Sequence, residues 1–283
     1  MTSVYSNAWI GIDLGGTKVA AGIITDGELG KELRENIDQN LEDPQVVVEQ
    51  MTGLVKEMFS PKVSGIGIGV PGLVDRRQGI AYDVLNIPNW KELPLKSIFE
   101  REFSVPVYVD NDANCFTMGE YRYGKFAGST DFVGITLGTG MGSGIIKNGA
   151  LLDDAHGCSG EFGTMPYLDG IYENYTSGMF FLKKHGMNGE EAAEKALSGD
   201  SRAIQAFREM GMHLGNAIKT IIMAVDPPLI IIGGSISRAR QLFEDAMWES
   251  VSDIAFPSVL KSFRIEFSET EHISIKGAAA LCQ

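Results

Sequence analysis

The sequence reads as an α/β protein of two related lobes, on three observations. Gly11-Ile-Asp-Leu-Gly-Gly-Thr-Lys18 recurs in altered form as Gly134-Ile-Thr-Leu-Gly-Thr-Gly-Met-Gly142. Each copy is an apolar run that breaks into a Gly-rich turn and resumes as a second apolar run. Each then ends at Asp26-Gly27 or Asn148-Gly149, dipeptides that mark tight hairpins. Secondly, apolar residues recur at helical spacing between the strands, as with Val47, Met51, Leu54, Val55 and Met58. Thirdly, Leu229-Ile-Ile-Ile232 is apolar throughout and too short to be amphipathic, the pattern of a central parallel strand.

In chain order, the first part reads as strands over 9–15, 19–25 and 29–38 and a helix over 44–59. Asp43 is the expected N-cap of that helix and Pro44 its first residue. A strand over 64–70 ends at Pro71-Gly72, a helix follows over 95–102, and a strand over 106–109 closes on Asp110-Asn-Asp-Ala-Asn114, which opens a helix to 123. The second part starts with the hairpin 132–151 and continues through an irregular Gly-rich stretch, 157–178. Helices are expected over 179–185, 190–197, 201–224 and 238–252, a strand over 264–267 and a closing helix over 275–281. Asp226-Pro-Pro228 ends the longest helix, because proline cannot continue it.

At 44% hydrophobic and 22% charged residues, the 283-residue chain has ordinary globular composition and length for two cores. Its formal net charge of -13 argues against nucleic acid as a partner, since phosphate backbones are bound through Lys and Arg clusters. No apolar run reaches the ~18 residues of a membrane span, and residues 1–7 do not resemble a signal peptide. Cys115, Cys158 and Cys282 are odd in number and far apart, which fits free thiols in a reducing cytoplasm.

The chemistry concentrates in the glycine turns. Successive N–H groups in such a turn form an anion site, and two of them in two lobes suggest a nucleotide's phosphates. Gly15, Gly16, Gly138, Gly140 and Gly142 are therefore candidates. Asp13 precedes the first turn, where its carboxylate would repel phosphates unless Mg²⁺ intervened, directly or through water. Thr17 and Lys18 can donate to phosphate oxygens, a solvated strand lysine being the lesser alternative for Lys18. Two other glycine patterns fail their context. Gly119-x4-Gly-Lys125 is followed by Phe126 instead of Ser or Thr and lies on an expected helix, and Gly67-x-Gly-x-x-Gly72 is interrupted by Pro71. Asp110-Asn-Asp112 sets two carboxylates at the end of a buried strand, where α/β proteins place chemistry. One of them could be the base that a hydroxyl needs when it attacks a phosphoryl group, or the group could simply cap a helix.

Asp13-Leu-Gly-Gly-Thr-Lys18, Gly69-Val-Pro-Gly72, Asn111-Asp-Ala-Asn114, Leu137-Gly-Thr-Gly140, Gly160-Glu-Phe-Gly163 and Ile232-Gly-Gly-Ser235 occur in one order. That series resembles the ROK family of sugar kinases, relatives of hexokinase with the two-domain actin-like ATPase (ribonuclease H-like) fold. The resemblance implies mixed sheets, an interdomain cleft and closure on sugar. It implies a small domain of residues 1–113 plus 273–283 and a larger one of 114–272. The expected activity is ATP- and Mg²⁺-dependent transfer of the γ-phosphoryl group to the 6-OH of a hexose such as glucose, by a cytoplasmic homodimer. N-acetylglucosamine, N-acetylmannosamine, mannose and fructose remain open as acceptors.

Carried over by position, Asp112 would be the base, and Asn111, Glu161 and Glu173 would bind sugar hydroxyls. Gly72 would line the sugar pocket, with Asn86 approaching it. Gly15, Gly16, Thr17, Lys18, Gly138, Thr139 and Gly140 would cradle phosphates, and Gly233 and Gly234 would pack near the adenosine. One departure is large. The family's Gly-Glu-x-Gly continues with a His and a Cys-rich zinc loop, whereas here Thr164 follows and 165–171 has no cysteine. A structural zinc needs about four Cys or His ligands, so no zinc is expected. The loop should pack instead through Tyr167, Leu168 and Tyr172, with Thr164 donating a single hydrogen bond. Three rival readings differ in class. A sugar-responsive transcription factor needs a DNA-binding segment, yet only eight residues precede Trp9. The others are a catalytically weak sugar-sensing protein and a non-sugar actin-like ATPase.

Overall fold

β1 (Ala8–Leu14) and β2 (Lys18–Thr25) pair antiparallel from Ala8↔Thr25 to Leu14↔Val19. β2 turns into β3 (Glu28–Asn36) through Asp26 and Gly27 at φ 51° and 83°, the left-handed pair that a two-residue hairpin turn requires. The structure, a computed structural model, describes residues 7–37, 43–82, 84 and 90–283. α1 (Pro44–Lys56) starts as expected: Asp43 Oδ1 accepts from Gln45 N at 2.9 Å, and Val47, Val48, Met51, Leu54 and Val55 are buried. β4 (Val63–Val70) runs parallel to β1. The short strands β5 (Leu73–Asp75), β6 (Ile80–Tyr82) and β7 (Glu92–Leu93) form a small sheet of their own. Strands of two or three residues carry no readable alternation, so the sequence does not announce them. α2 (Leu95–Phe103) leads to β8 (Val107–Asn111), parallel to β4, and α3 (Asp112–Tyr123) follows directly.

The second hairpin repeats the first. β9 (Phe132–Leu137) pairs antiparallel with β10 (Met141–Lys147), and Asn148 and Gly149 at φ 53° and 76° turn the chain into β11 (Ala150–Leu151). The stretch 157–178 is less irregular than expected. It holds the hairpin β12 (Pro166–Tyr167) and β13 (Gly170–Ile171), then α4 (Glu173–Thr176) and the start of α5 (Gly178–His185). α6 (Gly189–Leu197) and α7 (Ser201–Val225) follow. Asp226 ends α7 in the left-handed conformation, at φ 50°. β14 (Leu229–Gly233) lies between β9 and β15 (Arg264–Phe267), parallel to both, and is buried throughout. The helix expected over 238–252 is broken at Phe243: a 3₁₀ segment, Ile236–Leu242, precedes α8 (Glu244–Ser252). α9 (Ile273–Ala280) closes the chain.

The order β2-β1-β4-β8 is thus matched by β10-β9-β14-β15, each an antiparallel pair extended by two parallel strands. The duplication seen in the glycine turns extends to the sheets. Two compact units result. The first holds the described residues of Met1–Ser129 with Ala150–Ser159 and Thr270–Gln283, and the second holds Thr130–Gly149 and Gly160–Glu269. The first is larger than the expected 1–113 plus 273–283 by 114–129, which holds most of α3, and by 150–159 and 270–272. A Cβ at Gly277 of α9 would stand 1.7 Å from Cys115 O, and one at Gly119 of α3 would stand 2.4 Å from Ile273 O. The two helices approach backbone to backbone within the first unit. The same close packing explains Gly119 and Gly67, whose Cβ would stand 1.7 Å from Ala278 O, without any phosphate. No helix among the described residues is long and apolar enough to cross a membrane.

Candidate active site

The first unit carries an acidic sheet edge. Asp13 pairs with Gly69 and Gly69 with Asp110, so three parallel strands end side by side at the edge where α/β sheets place ligands. Asp13 is half-buried, and burial pushes its carboxyl up to about 6 against the opposing charge of Arg34. Asp110 is 3% exposed. Its Oδ1 accepts from Asn111 N at 2.7 Å and from Asn114 Nδ2 at 2.8 Å, and Oδ2 lies 3.8 Å from Arg76 Nη1. Burial pushes this carboxyl up to about 6, with the Asn114 hydrogen bond and the Arg76 charge opposing.

Asn111 is the N-cap of α3, as the capping alternative supposed. Its Oδ1 accepts from Ala113 N at 2.8 Å and Asn114 N at 3.3 Å, and Nδ2 donates to Gly72 O at 3.0 Å. A cap of this kind is worth about 1 kcal/mol. The amide still offers a second N–H from Nδ2 to a ligand oxygen. Gly72 has φ 107°, which a side chain would strain. Asp112 is the first residue of α3, half-buried, with Oδ1 accepting from Ala113 N at 2.9 Å. Cys115 is buried one turn on, its thiol pushed up by burial and by Asp110, Asp13 and Asp112. It packs as a small apolar residue. In the first glycine turn, Gly15 N donates to Lys18 O at 2.8 Å, so that N–H serves the turn itself. The side chains of Thr17 and Lys18 are exposed. Asn86 lies outside the described residues.

The second unit gathers the other glycines. Gly138 N donates to Gly140 O at 3.0 Å, again closing the turn on itself. A Cβ at Gly138 would meet nothing nearer than Ser235 Oγ at 4.0 Å, and its φ is not left-handed. Neither packing nor conformation demands glycine there, which leaves bare backbone open to a close-approaching group. Gly140 is explained differently: a Cβ would stand 2.2 Å from Glu173 Oε2, which accepts from Met141 N at 3.0 Å. Glu173 therefore sits against the turn itself. Gly233 pairs with Thr136, and Gly234, at φ 91°, lies so close to Leu137 that a Cβ would be 2.3 Å from its carbonyl oxygen. The Gly233-Gly234 turn and the 138–140 turn are thus neighbours, with Thr139 between the two glycines.

Glu161 is half-buried, and its carboxyl is raised by burial first and by Glu173 second. Ser143 Oγ donates to the carbonyl of Gly160, just before it. Thr164 is exposed, and its hydroxyl donates to Glu161 O at 2.9 Å. It closes the 3₁₀ turn Phe162–Thr164 and spends its proton there, not on a ligand. The following hairpin is packed by aromatics, but not by all those expected. Tyr167 stacks on Tyr172 at 4.3 Å and meets Tyr175 edge-on at 5.4 Å. Leu168 is 70% exposed at φ 52°, so it forms the hairpin tip and does not pack. His213 of α7 takes the place that Leu168 was expected to fill. Asn216 Nδ2 donates to Tyr167 Oη at 3.1 Å, and Tyr167 Oη lies 3.0 Å from His213 Nδ1. His213 Nε2 is 3.6 Å from Glu209. Among the described residues no group of three or more His, Cys, Asp and Glu side chains is placed to hold a metal ion.

Burial, chiefly, holds His213 below its ordinary 6.5, with Glu209 opposing and Lys184 assisting. A histidine whose folded value is depressed contributes stability that is present above 6.5 and lost as pH falls through the folded value. Tyr167→Phe removes the hydroxyl that joins Asn216 to His213 and is expected to cost about 1–2 kcal/mol at pH 8. Urea unfolding of both proteins at pH 8 and pH 5 measures the cost and the acid loss together. Equal midpoints for the two proteins at both pH values would show the network to be inert.

Arg76 is the site feature that no motif announced. It contacts Asp110, yet a lone arginine in a turn has no spacing signal. The only hint is its place after Val74-Asp75, four residues beyond Gly72.

A glucokinase of Thermotoga maritima is 29% identical over an alignment covering 96% of both chains. A xylose repressor of Caldicellulosiruptor bescii is also 29% identical, over 92% of this chain and 74% of that protein. The crystal structure of a ROK family glucokinase from Streptomyces griseus in complex with glucose and AMPPNP superposes with a TM-score of 0.85 at 27% identity, covering 97% of this chain and 99% of that one. Residues 9–283 match the ROK family, and the chain belongs to it.

Proposed function

We propose that this protein is an ATP-dependent hexose kinase that transfers the γ-phosphoryl group to a sugar hydroxyl, the 6-OH. The observation that carries the reading is Asn111-Asp112 at the carboxyl edge of β8: one side chain offers an N–H to a hydroxyl oxygen, and the next offers a carboxylate to a hydroxyl proton. The sugar oxygen forms the new bond to phosphorus, the bond from phosphorus to the β-phosphate oxygen breaks, and Asp112 takes the hydroxyl proton. The transition state of such a transfer is loose, so positioning and charge stabilisation supply most of the catalysis. On this reading Asn111, Glu161 and Glu173 are assigned to sugar hydroxyls and Gly72 to the sugar pocket. The turns Gly15–Lys18 and Gly138–Gly140 receive the phosphates, and Gly233-Gly234 receives the adenosine.

The acidic edge fits a divalent cation escorted by phosphates. Asp13 is the residue that would hold Mg²⁺, through water or a phosphate oxygen, and the ion would neutralise phosphate charge there. The reading includes a cytoplasmic homodimer without structural zinc. The test is ADP release from ATP and Mg²⁺ with glucose, mannose, fructose, N-acetylglucosamine and N-acetylmannosamine in turn. Turnover on one of them well above the sugar-free rate is expected. ATP binding without turnover on any of the five would mean an acceptor outside this panel or a sugar-sensing protein, the reading that the likeness to a repressor favours.

A further inference from the structure

Arg76 lies in the turn between β5 and β6, and its two terminal nitrogens face different parts of the first unit. Nη1 is 3.8 Å from Asp110 Oδ2. Nη2 donates to Leu152 O at 2.6 Å and lies 3.4 Å from Asp154 Oδ1 and 3.8 Å from the exposed Asp153. Asp154 in turn organises the segment it belongs to: Oδ1 accepts from Gly157 N at 3.2 Å and Oδ2 from Ser159 N at 3.1 Å. Gly157, at φ 76°, lies so close to β5 that a Cβ would be 2.7 Å from Val74 O. The segment Ala150–Ser159 is thus laid on β5, next to the turn that carries Arg76.

The bland reading is a surface ion pair worth little. Burial decides against it. Asp110 is 3% exposed, the Arg76 side chain 24% and the Asp154 side chain 12%. A buried carboxylate that loses its cation must take a proton or turn away. Asp110 Oδ1 is bound to Asn111 N and Asn114 Nδ2, so either response disturbs the residues that place Asp112. Lysine cannot replace the fork, because one ammonium cannot face Asp110 and Leu152 O from separate nitrogens.

We propose that Arg76 is a positioning residue. It fixes Asp110 behind Asn111-Asp112 and binds the 150–159 segment of the same unit with the same guanidinium, tying the placement of the base to that segment. The proposal rests on the kinase reading for its effect on turnover, but not for its effect on the segment.

The experiment compares the full-length protein with Arg76→Ala and Arg76→Lys, on the sugar that the panel identifies. Arg76→Ala is expected to lower kcat by about 10–100-fold, the usual effect of a small misplacement, with KM for ATP nearly unchanged. Added guanidinium ion should restore part of the loss in Arg76→Ala, and Arg76→Lys should remain impaired. Amide exchange of Gly157 and Ser159 should be faster in both variants. A wild-type kcat in Arg76→Ala, or full recovery in Arg76→Lys, would overturn the positioning role. Should the wild-type protein turn over no sugar, the kinase reading fails by itself. Exchange then decides the network: faster exchange supports it and unchanged exchange in Arg76→Ala overturns it.

Discussion

Asp112→Asn is expected to lower sugar-dependent turnover by about 10²–10⁴-fold, the usual contribution of a positioned base, in a protein that still folds. The replacement keeps the shape and an oxygen for Ala113 N, which Asp112 now holds at 2.9 Å. It removes the capacity to take up a proton. The cap of α3 is untouched, because Asn111 supplies it. Binding should change little, since hydroxyls are assigned to Asn111, Glu161 and Glu173, so the loss belongs in kcat and not in KM. Steady-state ADP release with the melting temperature measured alongside separates chemistry from folding. A turnover within a few-fold of wild type would remove Asp112 from the role of base. Wild-type KM with turnover lowered about 10²-fold or more would confirm it.

How far the site could be read before the structure depended on the kind of signal each part carries. The hairpins were legible because Asp26-Gly27 and Asn148-Gly149 must take positive φ in a two-residue turn, and both do. The parallel strand β14 was legible from its unbroken apolar run. Asn111 was legible as a cap, and it is one, with its Nδ2 donating to Gly72 O. Tertiary partners left no such trace. Nothing in the spacing of Arg76, Asp110 and Asp154 links three residues brought together by a small sheet of two- and three-residue strands. The same holds for His213, which meets Tyr167 only because α7 passes beneath the hairpin. Leu168 misled because an apolar residue in a short loop looks like packing, whereas the turn geometry puts it at the tip. The glycines of the second unit carry reasons that a motif does not separate: Gly140 and Gly234 are required by neighbours, and only Gly138 is left without a packing reason among these three.

Gly277→Ala is expected to be among the most damaging single substitutions in the first unit, although intrinsic preference runs the other way. In an open helix, alanine is favoured over glycine by about 1 kcal/mol, so a propensity argument forecasts a more stable protein. Packing reverses the sign. The new methyl would stand 1.7 Å from Cys115 O and 2.7 Å from Gly119 N. Both are backbone atoms of α3, so no rotamer change relieves the clash. On its other faces α9 is held as tightly, since a Cβ at Gly11 would be 1.9 Å from Ile275 O and one at Gly67 would be 1.7 Å from Ala278 O. The helix cannot retreat from α3 without striking β1 and β4. Overpacking in such a place costs about 3 kcal/mol or more, which outweighs the propensity gain and should lower Tm by about 5 °C or more. Because α3 begins at Asp112, any shift that accommodates the methyl also moves the proposed base, so kcat should fall even below the melting temperature. Differential scanning calorimetry beside the ADP-release assay checks both. An unchanged or higher Tm would mean that α9 and α3 lie further apart than their glycines imply.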